Sequence, residues 1–141
     1  YLNVAAAVAG LIEDDTGRVL LTVRAHDPMA GTLDLPGGFV DPDESAEDAL
    51  IREIEEELNL KARRCSFTYL GSFPNAYPYG GITYLTLDLA FACSVESFAP
   101  QKCSEEIAGV KLFRPSEIPL EQVGFSSIRS ILQEYRKTKQ R

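Results

Sequence analysis

The 141-residue sequence predicts one α/β domain, a mixed β-sheet held between helices. Two observations carry that prediction. Short apolar stretches of strand length, punctuated by turn residues, precede and follow one long helical pattern, and a second helical pattern closes the chain. The composition, 45% apolar and 25% charged, is that of a soluble globular protein long enough to bury a real core, which excludes disordered and fibrous classes.

Taken in order, residues 3–12 (NVAAAVAGLI) read as a buried first strand, and Glu13-Asp14-Asp15-Thr16-Gly17 as a turn. Residues 18–24 (RVLLTVR) return as the second strand of a hairpin. Pro28 to Gly31 interrupt the pattern, 32–35 (TLDL) make a short strand, and Pro36-Gly37-Gly38 end it. Residues 66–73 predict a strand and 74–81, rich in Pro, Asn, Tyr and Gly, a loop. From 83 to 93, Leu85, Leu87, Leu89, Phe91 and Cys93 alternate with Thr86, Asp88, Ala90 and Ala92, so the leucine-bearing face is expected on the core. Residues 110–113 supply another strand, and apolar residues at 125, 128, 131, 132 and 135 predict a closing amphipathic helix over 125–135.

The segment 37–60 (GGFVDPDESAEDALIREIEEELNL) carries the chemistry. Ser45 with Asp48 three residues on makes a capping box that starts a helix near Ala46. Ala46, Ala49, Leu50, Ile54 and Leu58 form its buried stripe, and Asn59 suits the left-handed C-terminal position. Glu53, Glu56 and Glu57 stand at i, i+3 and i+4, which puts three carboxylates on one face at a cost of roughly 0.2–0.5 kcal/mol per like-charged pair. Arg52, four residues before Glu56, is placed to neutralise one of them. The others call for a counterion, and clustered oxygen ligands suit a hard divalent cation, Mg²⁺ or Mn²⁺. Gly37-Gly38 let backbone approach that cation, and Glu44 waits in the loop before the helix. Glu47 and Glu55 lack partners in the pattern and read as solvated surface.

The net charge of −7 opposes a nucleic-acid backbone or an anionic membrane as partner, while a small anionic nucleotide remains compatible once a cation reverses the local sign. No apolar run approaches membrane-spanning length and no signal-peptide pattern is present, so the expected location is cytoplasmic. Cys65, Cys93 and Cys103, widely spaced and odd in number, read as reduced packing residues. With His26 the only histidine, a histidine zinc site or a serine triad is excluded and any chemistry falls to carboxylates.

The pattern Gly38-x5-Glu44-x7-Arg52-Glu53-Ile54-x-Glu56-Glu57-x-Asn59-Leu60 resembles the signature of the Nudix hydrolases, which cleave nucleoside diphosphates linked to another moiety. Its one departure is Asn59, where the family has glycine. The resemblance implies a three-layer α/β/α sandwich over residues 1–141. It implies that Glu53, Glu56 and Glu57 hold Mg²⁺ or Mn²⁺, aided by a carbonyl of Gly37 or Gly38, and that Arg52 orients a glutamate. The general base it implies lies either in the segment, at Glu56 or Glu53, or downstream at Glu105 or Glu106. Homodimers are common in the family and compatible with this chain.

Substrate recognition must come from outside that segment. Ser72, Pro74, Tyr77 and Pro78 resemble a pattern found in NADH pyrophosphatases, with Phe73, Asn75 and Ala76 departing from it. Tyr1-Leu2-Asn3 resembles the entry to a domain preceded by a zinc ribbon, and the absent initial methionine leaves room for one upstream. The expected substrate contacts are Gly38, Phe39, Phe73, Tyr77, Tyr79 and Tyr84, the tyrosines offering faces on which a purine stacks. ADP-ribose and NAD(H) lead as substrates. A nucleoside triphosphate pyrophosphatase and a non-catalytic nucleotide sensor are the alternatives.

Overall fold

The computed structural model describes residues 3–96 and 103–140; the expected entry at Tyr1-Leu2 lies outside them. Seven strands and two helices follow in the order β1 (Ala5–Glu13), β2 (Val19–Arg24), β3 (Leu33–Asp34), β4 (Gly37–Phe39), α1 (Ala46–Leu58), β5 (Thr68–Tyr79), β6 (Ile82–Ser94), β7 (Ile107–Phe113) and α2 (Ser126–Lys139). The sheet runs β3-β2-β1-β6-β5, with β4 added to β1 and β7 to β2. β1 and β6 are parallel over Ala5–Glu13, and the other strand pairs are antiparallel, which makes the sheet mixed as expected.

β1 and β2 are apolar on both faces because both faces are covered. Ala9, Leu11, Val19 and Leu21 join Ile128, Ile131, Leu132 and Tyr135 of α2 in one core layer. Val8, Ile12 and Leu20 join Ala49, Leu50, Ile54 and Leu58 of α1 in the other. α1 starts where its cap predicts, with Ser45 Oγ accepting from the Asp48 N–H at 3.0 Å. The reciprocal half of the capping box is not made, because the Asp48 carboxylate is taken by Arg64. Asn59 ends the helix at φ 55°, its N–H donating to the Glu55 carbonyl.

Four expectations are corrected. Residues 74–81 are not a loop: β5 continues to Tyr79 and pairs with β6 through Tyr79↔Ile82. Gly80 and Gly81, at φ 59° and 80°, supply the two left-handed positions of a two-residue hairpin turn, and the edge position of β5 tolerates Pro74 and Pro78 without N–H groups. On β6 the leucine face is covered only at its C-terminal end. Leu85 and Leu87 are 44% and 38% exposed while Thr86 and Asp88 are buried, because α2 meets the hairpin through Ser127 on their side. Finally, Gly37–Phe39 do not terminate a strand but form β4, and α2 runs four residues past Tyr135.

Cys93 is buried in the α1-side layer, its thiol pushed up to about 12 by burial, as suits a packing residue. Among the described residues, no helix is long and apolar enough to cross a membrane.

Candidate functional site

β1 bonds to β2 only at Ile12 and Glu13, and to β4 over Ala7–Ala9. The two halves of the sheet therefore part beyond Ile12, and a cavity of about 1040 Å³ lies in the opening. Its lining includes Ala7–Ala9 on one side and Thr22–Arg24 on the other.

At one end stand the two glycines and the glutamates of α1. A Cβ on Gly37 would lie 1.9 Å from the Val8 carbonyl oxygen, so β4 reaches β1 here only without a side chain. A Cβ on Gly38 would lie 2.7 Å from the Glu53 carboxyl carbon, so the glycine leaves the space that this carboxylate fills. Glu53 and Glu57, one turn apart on α1, are turned to the same place, close enough for the charge of Glu53 to act on Glu57. The Gly37 N–H reaches Glu57 Oε1 at 3.4 Å. The sequence expected a carbonyl from this pair of glycines; the group Gly37 turns to Glu57 is its N–H.

Arg52 binds this end together. Its Nε and Nη2 donate to the two Glu44 oxygens at 2.8 and 2.9 Å, Nη1 donates to Glu53 Oε1 at 2.8 Å, and Nη2 also reaches the Phe39 carbonyl. The Glu56 contact expected from helical spacing is the longest of its carboxylate hydrogen bonds, at 3.3 Å. The loop ahead of α1 folds back over the helix and brings in Glu44, whose forked geometry takes the guanidinium first. That fork holds the Glu44 carboxyl down to about 2, and it raises Arg52 further. Glu56 keeps a side chain 60% exposed at the rim.

Burial pushes the Glu57 carboxyl up to about 9, reinforced by the charge of Glu53, and burial likewise raises Glu53. Two carboxylates forced together in a partly dry place need either a proton or a cation between them. Among the described residues no three acidic, histidine or cysteine side chains converge on one point. The all-oxygen pair of Glu53 and Glu57, in the space Gly38 leaves open, nevertheless fits a hard divalent cation, with Glu56 at the rim.

A pH dependence follows. With its pKa at about 9 in the folded protein against an ordinary 4.5, Glu57 binds a proton that the unfolded chain releases. Its contribution is full below about pH 4.5 and is lost as pH rises toward 9. Thermal melts of metal-free protein are expected to fall across that window, and to fall less steeply for Glu57→Gln. A divalent cation such as Mn²⁺ bound in place of that proton would raise the melting temperature most at the alkaline end. A wild-type slope no steeper than that of the variant would refute the assignment.

The cavity is lined further by Thr22, Arg24, Asp34, Asn75, Tyr77, Tyr79, Thr86, Asp88 and Phe125. Tyr77 stacks on Phe125 with centroids 5.4 Å apart, and the Arg24 guanidinium lies 5.0 Å from the Phe125 ring centre. Arg24 also donates to Asp34 Oδ2 at 2.9 Å, to the Pro28 carbonyl and to the Tyr77 hydroxyl. Burial pushes the Asp34 carboxyl upward against the pull of Arg24. Of the expected substrate contacts, Gly38, Phe39, Tyr77 and Tyr79 line the cavity, Phe73 packs on the α2-side core, and Tyr84 lies outside the lining. Glu105 and Glu106 are exposed at the rim with His26, whose Nε2 lies 3.1 Å from the Glu105 carbonyl. Glu44 is outside the lining, behind Arg52.

Arg24, Asp34 and Asp88 were not singled out from the sequence. A signal existed for Asp88, an acid flanked by Leu87 and Leu89 in the middle of an apolar strand. None existed for Arg24 and Asp34, whose pairing depends on strand register.

The family described as the NUDIX domain matches residues 3–135, the whole sheet and most of α2. The chain belongs to the Nudix family. The strand, loop and helix carrying Gly37, Gly38, Glu53 and Glu57 are thus the Nudix segment of a Nudix domain. Among curated proteins it is 42% identical over 82 residues to an ADP-ribose pyrophosphatase of Methanocaldococcus jannaschii, covering 58% of this chain and 48% of that one. It is 27% identical over 113 residues to the NAD-capped RNA hydrolase NudC of Photorhabdus laumondii, covering 80% and 40%. The Nudix chain thus spans less than half the length of either relative. Its fold matches the crystal structure of a MutT NUDIX hydrolase from Burkholderia pseudomallei with a TM-score of 0.77 at 24% identity, over 94% of this chain and 98% of that one.

Proposed function

We propose that this Nudix domain hydrolyses the diphosphate bond of a nucleoside diphosphate linked to a second moiety and releases a nucleoside monophosphate, with ADP-ribose and NAD(H) the leading substrates. The observation that carries the reading is the pair Glu53–Glu57, packed against Gly37-Gly38 at one end of a cavity large enough for a nucleotide. A divalent cation held there, Mg²⁺ or Mn²⁺, would neutralise the diphosphate and lower the pKa of the attacking water. Arg52 fixes the Glu53 carboxylate through a 2.8 Å hydrogen bond and is itself fixed by Glu44, so the acidic end is rigid before substrate arrives. A carboxylate takes the proton of the attacking water, the oxygen joins phosphorus, and the bridging P–O bond breaks with its electrons on the departing phosphate. The candidates for that base are Glu56 or Glu53 in the segment and Glu105 or Glu106 downstream; that Glu56, Glu105 and Glu106 are exposed and line the cavity supports them.

The partial match at Ser72, Pro74, Tyr77 and Pro78 supports the dinucleotide reading, as do the similarities to an ADP-ribose pyrophosphatase and to a NAD-capped RNA hydrolase. The test is a panel of ADP-ribose, NAD⁺, NADH, diadenosine polyphosphates, nucleotide sugars and nucleoside triphosphates with Mg²⁺ or Mn²⁺ in ¹⁸O water. Label is expected in a phosphate product from ADP-ribose or NADH. Turnover of triphosphates alone would establish the triphosphatase alternative, and tight binding without turnover of any member the sensor.

A further inference from the structure

The two downstream glutamates ride on a turn that is fastened to α1. Residues 104–107 close a β-turn through the Ile107 N–H donating to the Ser104 carbonyl at 3.2 Å, with Glu105 and Glu106 at its centre. The Ser104 N–H donates at 3.0 Å to the Glu57 carbonyl, one of the last carbonyls of α1, which find no partner inside the helix. From the loop after β2, the Ala25 N–H donates to the Glu106 carbonyl at 3.1 Å, and His26 Nε2 lies 3.1 Å from the Glu105 carbonyl. The backbone of the turn is thus paired. The Ser104 hydroxyl is not: it is the one buried side-chain nitrogen or oxygen without a hydrogen-bond partner among the described residues. Ser104 itself is half-buried and lines the same cavity as Glu53 and Glu57. A buried hydroxyl left unpaired destabilises the fold, so it calls for a partner that the polypeptide does not supply.

We infer that Ser104 is a further substrate-binding residue, whose hydroxyl turns about the Cα–Cβ bond into the cavity and donates to an oxygen of the bound diphosphate. Serine has three staggered χ1 positions, so the change takes one bond rotation and no movement of the turn. The carboxylates of Glu53, Glu56, Glu57, Glu105 and Glu106 in the same lining can, when ionised, only accept, and they repel phosphate oxygens. Thr22, Arg24 and Asn75 bring other donors to the cavity, but Ser104 is the one bound through its backbone to the Glu57 carbonyl. Its side chain is therefore held in register with the pair Glu53–Glu57. A hydrogen bond to a charged phosphate oxygen is stronger than one to a neutral acceptor, and here it is gained by a group that has no bond within the protein to give up. This inference rests on the proposed diphosphate reading of the cavity, and it adds a residue outside the Nudix segment that holds the group being cleaved.

The test is Ser104→Ala, which removes only the hydroxyl, read by melting and by binding of α,β-methylene-ADP, a nucleoside diphosphate whose carbon bridge resists cleavage. Without metal or nucleotide, the variant is expected to melt about 2–4 °C above wild type, because a buried unpaired group is gone. Calorimetric titration with α,β-methylene-ADP in the presence of Mn²⁺ should show its affinity at least about tenfold below that of wild type, the scale of one hydrogen bond to a charged group. Its affinity for Mn²⁺ alone should equal that of wild type. The opposite signs separate a substrate contact from a structural role, which would lower stability and affinity together. A melting temperature that does not rise overturns the inference, as does unchanged affinity for the analogue, a matching loss of Mn²⁺ affinity, or failure of the wild type to bind the analogue. The expected differences, found in a protein that hydrolyses no member of the diphosphate panel, refute the proposed reaction and leave this inference standing. Hydrolysis of ADP-ribose by a variant that melts and binds like wild type does the reverse.

Discussion

Glu57→Gln is expected to reduce metal-dependent turnover by at least about a hundredfold, the scale seen when one preorganised electrostatic group is removed from an active site, while making the metal-free protein more stable. The two effects have opposite signs for one reason. Glu57 is buried beside Glu53, and without a cation that juxtaposition is unfavourable enough to hold its carboxyl at about 9. Glutamine keeps the size and a group able to accept from the Gly37 N–H, and it removes the charge that a cation needs. Glu53→Gln should lose activity similarly but gain no stability, because it also weakens the 2.8 Å hydrogen bond from Arg52. Glu55→Gln, on the exposed side of α1, should stay within about twofold of wild type, like most surface substitutions. The measurements are initial rates under saturating Mg²⁺ on a substrate the wild type cleaves, together with melting curves with and without the ion. Wild-type rates in both Glu53→Gln and Glu57→Gln would remove the metal assignment.

Gly37→Ala is expected to be the most destabilising single methyl that can be added to this site. Its Cβ would lie 1.9 Å from the Val8 carbonyl oxygen, 2.9 Å from the Val8 carbonyl carbon and 3.0 Å from the Ala9 Cα. All three are backbone atoms, and no rotamer relieves the clash. β4 must leave β1, breaking the Val8↔Gly38 and Ala9↔Gly37 pairing, so the cost should reach or exceed about 3 kcal/mol, the upper end for overpacking. Gly38→Ala makes a useful contrast. Its clash, at 2.7–2.9 Å, is with the Glu53 carboxyl group, a side chain that can swing away. That variant should fold with a modest loss of stability and lose activity through displacement of Glu53. Denaturant titration separates the two, and equal midpoints for Gly37→Ala and wild type would show that β4 does not bear on β1 as described.

The sequence by itself determined whatever depends on neighbours a turn or a pleat away. The span and caps of α1, the i, i+4 placement of Glu53 and Glu57, the apolar strands β1 and β2 and the amphipathic α2 are all local periodicities. The long Nudix signature, read on that helix, then pointed to the family that the match over residues 3–135 confirms. Tertiary structure decided what depends on register and burial. Only the pairing of β5 with β6 shows that Pro74 to Tyr79 are strand, and only the position of Ser127 over β6 shows that Asp88, rather than Leu87, is the buried neighbour. Arg52 chose Glu44 over Glu56 because a loop eight residues away in sequence folds back within 2.8 Å of it. The raised pKa of Glu57 has the same origin. Helical spacing brings the two carboxylates together, but only the packing of Gly37-Gly38 and α1 against the split sheet removes the water that would otherwise screen them.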